Sequence, residues 1–348
     1  MPYPPPEDPR AARRARIWRW VSTALVIVLV MTLLYIGYVG FDGSRQLVNS
    51  ALRSTNCTTP AAAFGWKYEA INYDIAGDAA LDALPDPSHC PSQGAPAGSD
   101  LLTRDGIRIA GWYIPGAGSR GPTAATIVLA HAQDADKSDM LPYAELLHAR
   151  YNLVLFDFRN HGQSSGDEST LGVTEQLDVK AVVDWLESVK HPKHIGLLGV
   201  AMGGSAVANA ADTDTRIEAV ILDSTHATLA NALQAHLDRA GYPLSLPGAW
   251  AILLGGLLRT GEDMTAADPV QAVERYGARP LLILVGGRDD SIGPNDGSDL
   301  EAAARQGGAA VELERCADAT HADLVRACSV QYKTWTLGFL QRAFASQP

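Results

Sequence analysis

Gly199-Val200-Ala201-Met202-Gly203-Gly204 has the spacing of a nucleophile elbow, the sharp turn by which a strand passes into a helix and lifts one side chain clear of a sheet. Glycines two before and two after the raised residue allow the turn, because neither has a Cβ to obstruct the close passage of backbone. Alanine occupies the raised position here, so a methyl group stands where the attacking hydroxyl of such a turn belongs. The flanks agree with the motif. His194 to Leu198 predicts a buried strand, and Ser205 to Ala210 predicts the opening of a small-residue helix packed against it. A glycine-bearing strand-to-helix turn without chemistry remains the plain alternative on this segment alone.

Two later stretches bear on that choice. Leu281 to Val285 reads as a second buried strand and runs into Gly286-Gly287-Arg288-Asp289-Asp290, which places the Asp289 carboxylate just past a strand end. Val311 to Glu314 reads as a last strand, followed by a loop with His321 and a helical stretch from about Asp323 to Phe344. Nucleophile position, acid and histidine in that order are arranged for a carboxylate to fix an imidazole tautomer and for the imidazole to take a proton from the nucleophile. Alone, Asp289 is a turn residue and His321 a surface loop residue; at the ends of successive strands they form a constellation.

On these motifs the chain resembles the α/β-hydrolase family, specifically short-capped serine hydrolases of the monoacylglycerol-lipase-like and serine-aminopeptidase-like kinds. The resemblance runs from about Asp100 to Phe344. Asp105 to Pro115 is similar to the family's opening hairpin, and Asp157-Phe158-Arg159-Asn160-His161-Gly162-Gln163-Ser164 to its loop after the fourth strand. It implies a catalytic set of Ala201, as the vacant nucleophile position, with Asp289 and His321. It also implies an oxyanion hole from the backbone N–H groups of Met202 and Gln133, the latter after the strand Ile127 to Ala130 and His131-Ala132. Ala132 departs from the family's glycine, which puts the backbone shape at Gln133 in question. His131 and His161 read as scaffold histidines. No metal or organic cofactor is implied.

The first 41 residues are of another kind. Met1 to Asp8 is proline-rich and expected to lack fixed structure, and Arg10, Arg13, Arg14, Arg16 and Arg19 form a basic cluster. From Trp20 to Phe41 no charge occurs, enough residues to cross a hydrocarbon core, with tryptophans and tyrosines toward the flanks. We therefore expect a cytoplasmic basic tail (residues 1–16), one transmembrane helix (17–41), a linker and N-terminal extension (42–99) and an extracytoplasmic hydrolase domain (100–348). The arginines before the span set the orientation, and a cleaved signal peptide is the alternative.

All four cysteines follow the apolar run and none has a metal-site spacing. Two disulfides fit best, and local loops favour Cys57 with Cys90 and Cys316 with Cys328, the second clamping the loop that carries His321. The net charge is −11; with five arginines in the first twenty residues, the rest holds 23 basic against 37 acidic residues, which argues against a nucleic acid partner. Apolar strands separated by helical segments such as Val173 to Val189 predict an α/β domain with a doubly wound, mostly parallel sheet.

Residues 225–268 leave the sheet pattern for an alanine- and leucine-rich region with Pro243, Pro247 and Trp250, placed where such domains insert a small helical cap. Apolar cap helices over the catalytic face favour acyl or lipid-like groups, so the expected partners are a small acyl, lipid or peptide substrate and the membrane itself. Without a serine, covalent acyl transfer is closed. Ser205 lies within the next helix and Ser224 after another strand, and neither replaces it. Three readings follow: an esterase, lipase or peptidase from which the nucleophile has been removed, a non-catalytic ligand-binding relative, or a hydrolase in which His321 activates water. The retained acid and histidine favour the first.

Overall fold

The protein is described by a computed structural model over residues 9–49, 58–72, 101–118 and 124–345. The proline-rich tail, Cys57 and Cys90 lie outside these residues.

Helix α1 (Pro9–Val48) has 40 residues, about 60 Å of helix at 1.5 Å per residue. Among the described residues it is the one helix long and apolar enough to cross a membrane. Its flanks are Trp18 and Trp20 at one end and Tyr38 and Phe41 at the other, all well exposed. The helix overruns the expected span at both ends. Arginine and alanine propagate a helix readily, so the basic cluster is helical from Pro9. At the other end the last turns pack on the domain, where Val39, Ser44 and Val48 are buried.

The segment expected to be linker contains helix α2 (Pro60–Phe64) and strand β1 (Glu69–Ile71). Strand β1 pairs antiparallel with β2 (Gly111–Ile114), so the sheet begins upstream of residue 100. Three residues are too few for an alternating pattern to register in the sequence. Next come β3 (Thr126–Ala130), α3 (Leu141–Leu147), β4 (Asn152–Phe156) and α4 (Glu175–Trp185). The elbow joins β5 (Ile195–Val200) to α5 (Met202–Thr213), which leads to β6 (Ile217–Asp223). The cap consists of α6 (Leu229–Arg239) and α7 (Ser245–Thr260), within the expected limits. Helix α8 (Pro269–Arg275), β7 (Pro280–Gly286), α9 (Asp296–Gln306), β8 (Ala310–Cys316), α10 (Leu324–Ala327) and α11 (Ser329–Ala345) complete the chain.

The eight strands form one sheet in the order β1-β2-β4-β3-β5-β6-β7-β8. Pairings on either side of β2 are antiparallel and all others parallel. Strands buried on both faces explain why the sequence shows continuous apolar runs here. Ile127, Leu129, Leu198 and Ile221 pack with α3 and α11, while Val128, Ala130, Leu197 and Val220 pack with α4 and α5. The result is a three-layer, doubly wound α/β domain. Because β3, β5, β6, β7 and β8 are parallel, their C-terminal ends share one edge of the sheet, and the loops there carry Gln133, Ala201, Ser224, Asp289 and His321.

Cys316 ends β8 and Cys328 precedes α11, and the two are bonded, with Cα atoms 6.2 Å apart. The expected clamp on the His321 loop is therefore present. Closing so short a loop restricts the unfolded chain by about 3 kcal/mol. Full-length protein with Cys316→Ser and Cys328→Ser should unfold at lower urea concentration by roughly that amount; an unchanged midpoint would show that the bond constrains nothing the fold does not already hold.

Candidate active site

Ala201 sits at φ 50° and ψ −111°, well outside the regions an L-residue prefers. Its amide donates to Asp223 O (2.9 Å), and its carbonyl accepts from Ser205 N (3.2 Å). The glycines around it are needed for contact distance. A Cβ on Gly199 would collide with Gly203 O, one on Gly203 with Ala130 O, and one on Gly204 with Thr225 Oγ1. The chain thus folds a full nucleophile elbow around a methyl group.

His321 reaches the same place from the loop after β8. Its Nδ1 lies 2.9 Å from Asp289 Oδ2 and 3.1 Å from Oδ1, and Asp289 Oδ1 also accepts from Ser291 N. The carboxylate is 1% exposed and the imidazole 30%. With Nδ1–H donated to Asp289, Nε2 is left as the basic atom, the tautomer a general base requires. Ala201, Met202, Gln133 and His321 line one cavity of about 590 Å³, a volume typical of small-molecule sites. Asp289 stands behind His321. The five expected site residues are therefore gathered in one place.

Met202 opens α5, so its N–H is one of the helix-start donors with no partner inside the helix. On the other side the left-handed residue of the β3 loop is Asp134 (φ 60°), and Ala132 has no positive φ, which explains how the loop turns without the family's glycine. Gln133 Nε2 donates to Leu47 O of α1 (3.3 Å).

Of the two scaffold histidines, His131 is satisfied as expected. His131 Nε2 accepts from Phe158 N, and its Nδ1 donates to Ala132 O. Burial holds its pKa down to about 3, with His161 beside it adding to the effect. His161 is not: its Nδ1 bonds Arg159 O, but its buried Nε2 has no hydrogen-bond partner.

Ser205 and Ser224 are both fully buried and neither lines the cavity. Ser224 nevertheless has a task that its sequence position did not disclose. Its Oγ donates to Asp223 Oδ1 and accepts from Ala322 N, the residue after the histidine. Tyr332 OH donates to the other oxygen of Asp223 (2.9 Å), and Tyr143 OH to Ala322 O. Burial pushes the Asp223 carboxyl up to about 6, against the opposing pull of these donors. Ser224 is left-handed (φ 53°) and directly follows a strand, which is the one signal a reader of the sequence had, a polar pair at a strand end.

His226 was also missed. It is 7% exposed, lines the cavity, and has a buried Nε2 without a hydrogen-bond partner. Burial lowers its pKa to about 4, with His321 as a secondary cause. The cavity has a further wall that no motif announced: Tyr38, Asp42 and Gln46 of α1. Among the described residues no cluster of histidine, cysteine or carboxylate side chains is arranged to hold a metal.

The alpha/beta hydrolase fold family matches residues 139–282. Protein MT2364 of Mycobacterium tuberculosis, itself uncharacterized, is 30% identical over 219 residues, 61% of this chain and 69% of that protein. The chain belongs to the α/β-hydrolase family. Uncharacterized protein YfhR of Escherichia coli K12 is 32% identical over 151 residues, 42% of this chain. The match spans only about half, 52%, of that relative's length. Among solved structures the Pyrococcus furiosus esterase Pf2001 superposes with a TM-score of 0.61 at 20% identity, covering 82% of this chain and 95% of that one. The Pyrococcus horikoshii acylaminoacyl peptidase does so with 0.53 at 18% identity, covering 68% and 39%. At such identities the likeness is one of fold, and an α/β-hydrolase fold supports both ester and peptide chemistry.

The depressed pKa of His226 sets a pH dependence. A buried neutral histidine stabilises the fold fully above its unfolded value of 6.5, and the contribution disappears as pH falls from there toward about 4. Urea unfolding of the full chain between pH 7 and 4.5 should lose stability with falling pH, on the order of 3 kcal/mol from this group at the limit of the window. His226→Gln should flatten the slope, leaving the share due to His131. An identical slope in the variant would show that folding does not depress the His226 pKa.

Proposed function

We propose that this is a membrane-anchored, extracytoplasmic serine hydrolase site for ester, lipid or peptide substrates, complete except for its nucleophile. The observation that carries the reading is the pairing of a strained elbow at Ala201 with the His321–Asp289 hydrogen bond across one cavity. A turn at φ 50° is unfavourable by about 1–3 kcal/mol for a residue with a Cβ, and a plain packing role gives no reason to keep it. With serine at 201, His321 Nε2 takes the Oγ proton as Oγ attacks the acyl carbon. Asp289 then stabilises the imidazolium, and the N–H groups of Met202 and Gln133 receive the oxyanion. With alanine, binding and orientation of the acyl group remain and the covalent step is closed.

A binding protein on the same scaffold is the second reading, and Ala201 itself favours it. The two part on one experiment. Ala201→Ser should react with a fluorophosphonate probe and hydrolyse a short-chain ester about 10³-fold faster than the parent, and His321→Ala in that background should abolish both. A folded Ala201→Ser protein that does neither assigns the cavity to binding.

The anchor rests on α1, whose exposed apolar face runs from Trp20 to Phe41 behind five arginines. The arginines direct the tail to the cytoplasm and the domain outward. Protease added to intact cells should remove the domain after Phe41 and spare a tag placed before Arg10. Protection of the domain would reverse the topology, and release of a domain lacking α1 would mark the helix as a cleaved signal.

A further inference from the structure

The cap helix α7 does not shelter behind the domain. It lies against α1 in a fixed register. Tyr35 OH donates to Pro243 O just before α7 (3.0 Å). Farther along, a Cβ on Gly40 would touch Ala251, one on Gly43 would touch Ile252, and one on Gly255 would touch Ser44. At the far end Arg259 Nε donates to Ser44 Oγ (3.0 Å) and its Nη2 to Phe41 O (3.1 Å). The partners advance together along both chains, so the helices run in the same direction. The close contacts advance in step: Gly40 to Ser44 on α1 and Ala251 to Gly255 on α7 are four residues each, about 6 Å of helix. Helix α7 therefore lies alongside the last turns of the apolar run and the residues just beyond Asp42.

The face that α7 turns away from α1 is apolar. Leu246, Trp250, Leu254 and Leu258 recur every fourth residue and are 50%, 53%, 56% and 78% exposed. Tyr242 and Leu244 extend the stripe through the preceding turn at 43% and 48%. From Gly241 to Leu258 no residue is charged, and Arg259 closes the run beside Phe41, where the apolar run of α1 ends at Asp42. Two helices thus end their apolar stretches together. Helix α7, at 16 residues, is too short to cross a hydrocarbon core, and a helix whose one charge is Arg259 in its last turn, with Trp250 on its exposed face and Tyr242 just before it, suits the boundary between headgroups and acyl chains.

We propose that the exposed face of α7, from Tyr242 to Leu258, is a lipid-docking surface seated in the leaflet where α1 leaves the membrane. This rests on the reading of α1 as a span. Its consequence concerns the cavity, whose lining includes Tyr38 of α1, Tyr242 before α7, and Ile252 of α7. With α7 in the leaflet these residues lie at the headgroup level, and an acyl chain reaches His321 and residue 201 from the bilayer without passing through bulk water. Lipid esters are thereby favoured over free peptides as occupants.

Nitroxide labels on full-length protein in phosphatidylcholine vesicles test this. Separate variants carry Leu246→Cys, Trp250→Cys or Leu254→Cys, with Arg305→Cys on an exposed helix as the aqueous reference and Leu29→Cys in the middle of α1 as the span reference; circular dichroism confirms each fold. Labels at 246, 250 and 254 should collide several-fold more with oxygen, and less with a water-soluble nickel chelate, than the label at 305. If 29 is shielded from nickel while all three cap positions are as wet as 305, α7 faces water and the proposal fails while the anchor stands. If 29 is wet as well, the anchor reading fails and takes the proposal with it. Broadening between cap labels that vanishes on dilution with unlabelled chain would assign the face to a second copy, which also overturns it.

Discussion

At residue 201 the backbone holds φ 50° against the repulsion of a Cβ, and it stays there because both neighbouring elements grip it. Asp223 of β6 accepts its N–H, Ser205 of α5 donates to its carbonyl, and Gly199 and Gly203 allow strand and helix to approach to a distance that no side chain permits. The approach fixes how α5 lies on the sheet, and Gly203 in turn packs against Ala130 O at the end of β3. From that one turn follow the position of the Met202 amide, the floor of the cavity, and the distance over which the loops of β7 and β8 must reach. An alanine at 201 is compatible with all of this, because the geometry depends on glycines and backbone hydrogen bonds.

What holds the histidine is more elaborate than a dyad. Asp289 fixes one ring nitrogen, but the loop is also held from behind through Ala322, whose N–H and carbonyl meet Ser224 and Tyr143. Asp223 and Tyr332 complete a buried network linking β6, α11 and the histidine loop. Such networks hold position well when every member is satisfied. The disulfide from Cys316 to Cys328 bounds the same segment.

The central strands, the elbow, Asp289, His321 and one disulfide could all be read from the chain, since each leaves a local trace: a continuous apolar run, a glycine spacing, a carboxylate past a strand end, a pair of cysteines around a loop. The remainder has no local trace. Strand β1 is too short for periodicity, and it joins the sheet because Gly111 to Tyr113 offer an unpaired edge. The roles of Ser224 and His226 depend on contacts between segments distant in sequence. The α1 wall of the cavity was hidden for a different reason. A membrane-spanning pattern reports solvent preference along the chain and carries no information about which face of a helix packs on a domain.

Helix α1 also ends inside the domain. The last carbonyls of a helix have no partners of their own, and here the domain supplies them: Leu47 O receives the Gln133 amide, and Val48 O receives Ser169 N and Asn160 Nδ2. The join is a rigid mount, so rotation of the helix about its axis is rotation of the cavity wall. With α1 as the proposed span, each residue added to or removed from it ahead of the domain contacts would turn the cavity by about 100°, since a turn holds 3.6 residues. Orientation of the cavity about the α1 axis is therefore encoded as a phase along the helix, a quantity that composition does not carry and that an otherwise neutral insertion would destroy.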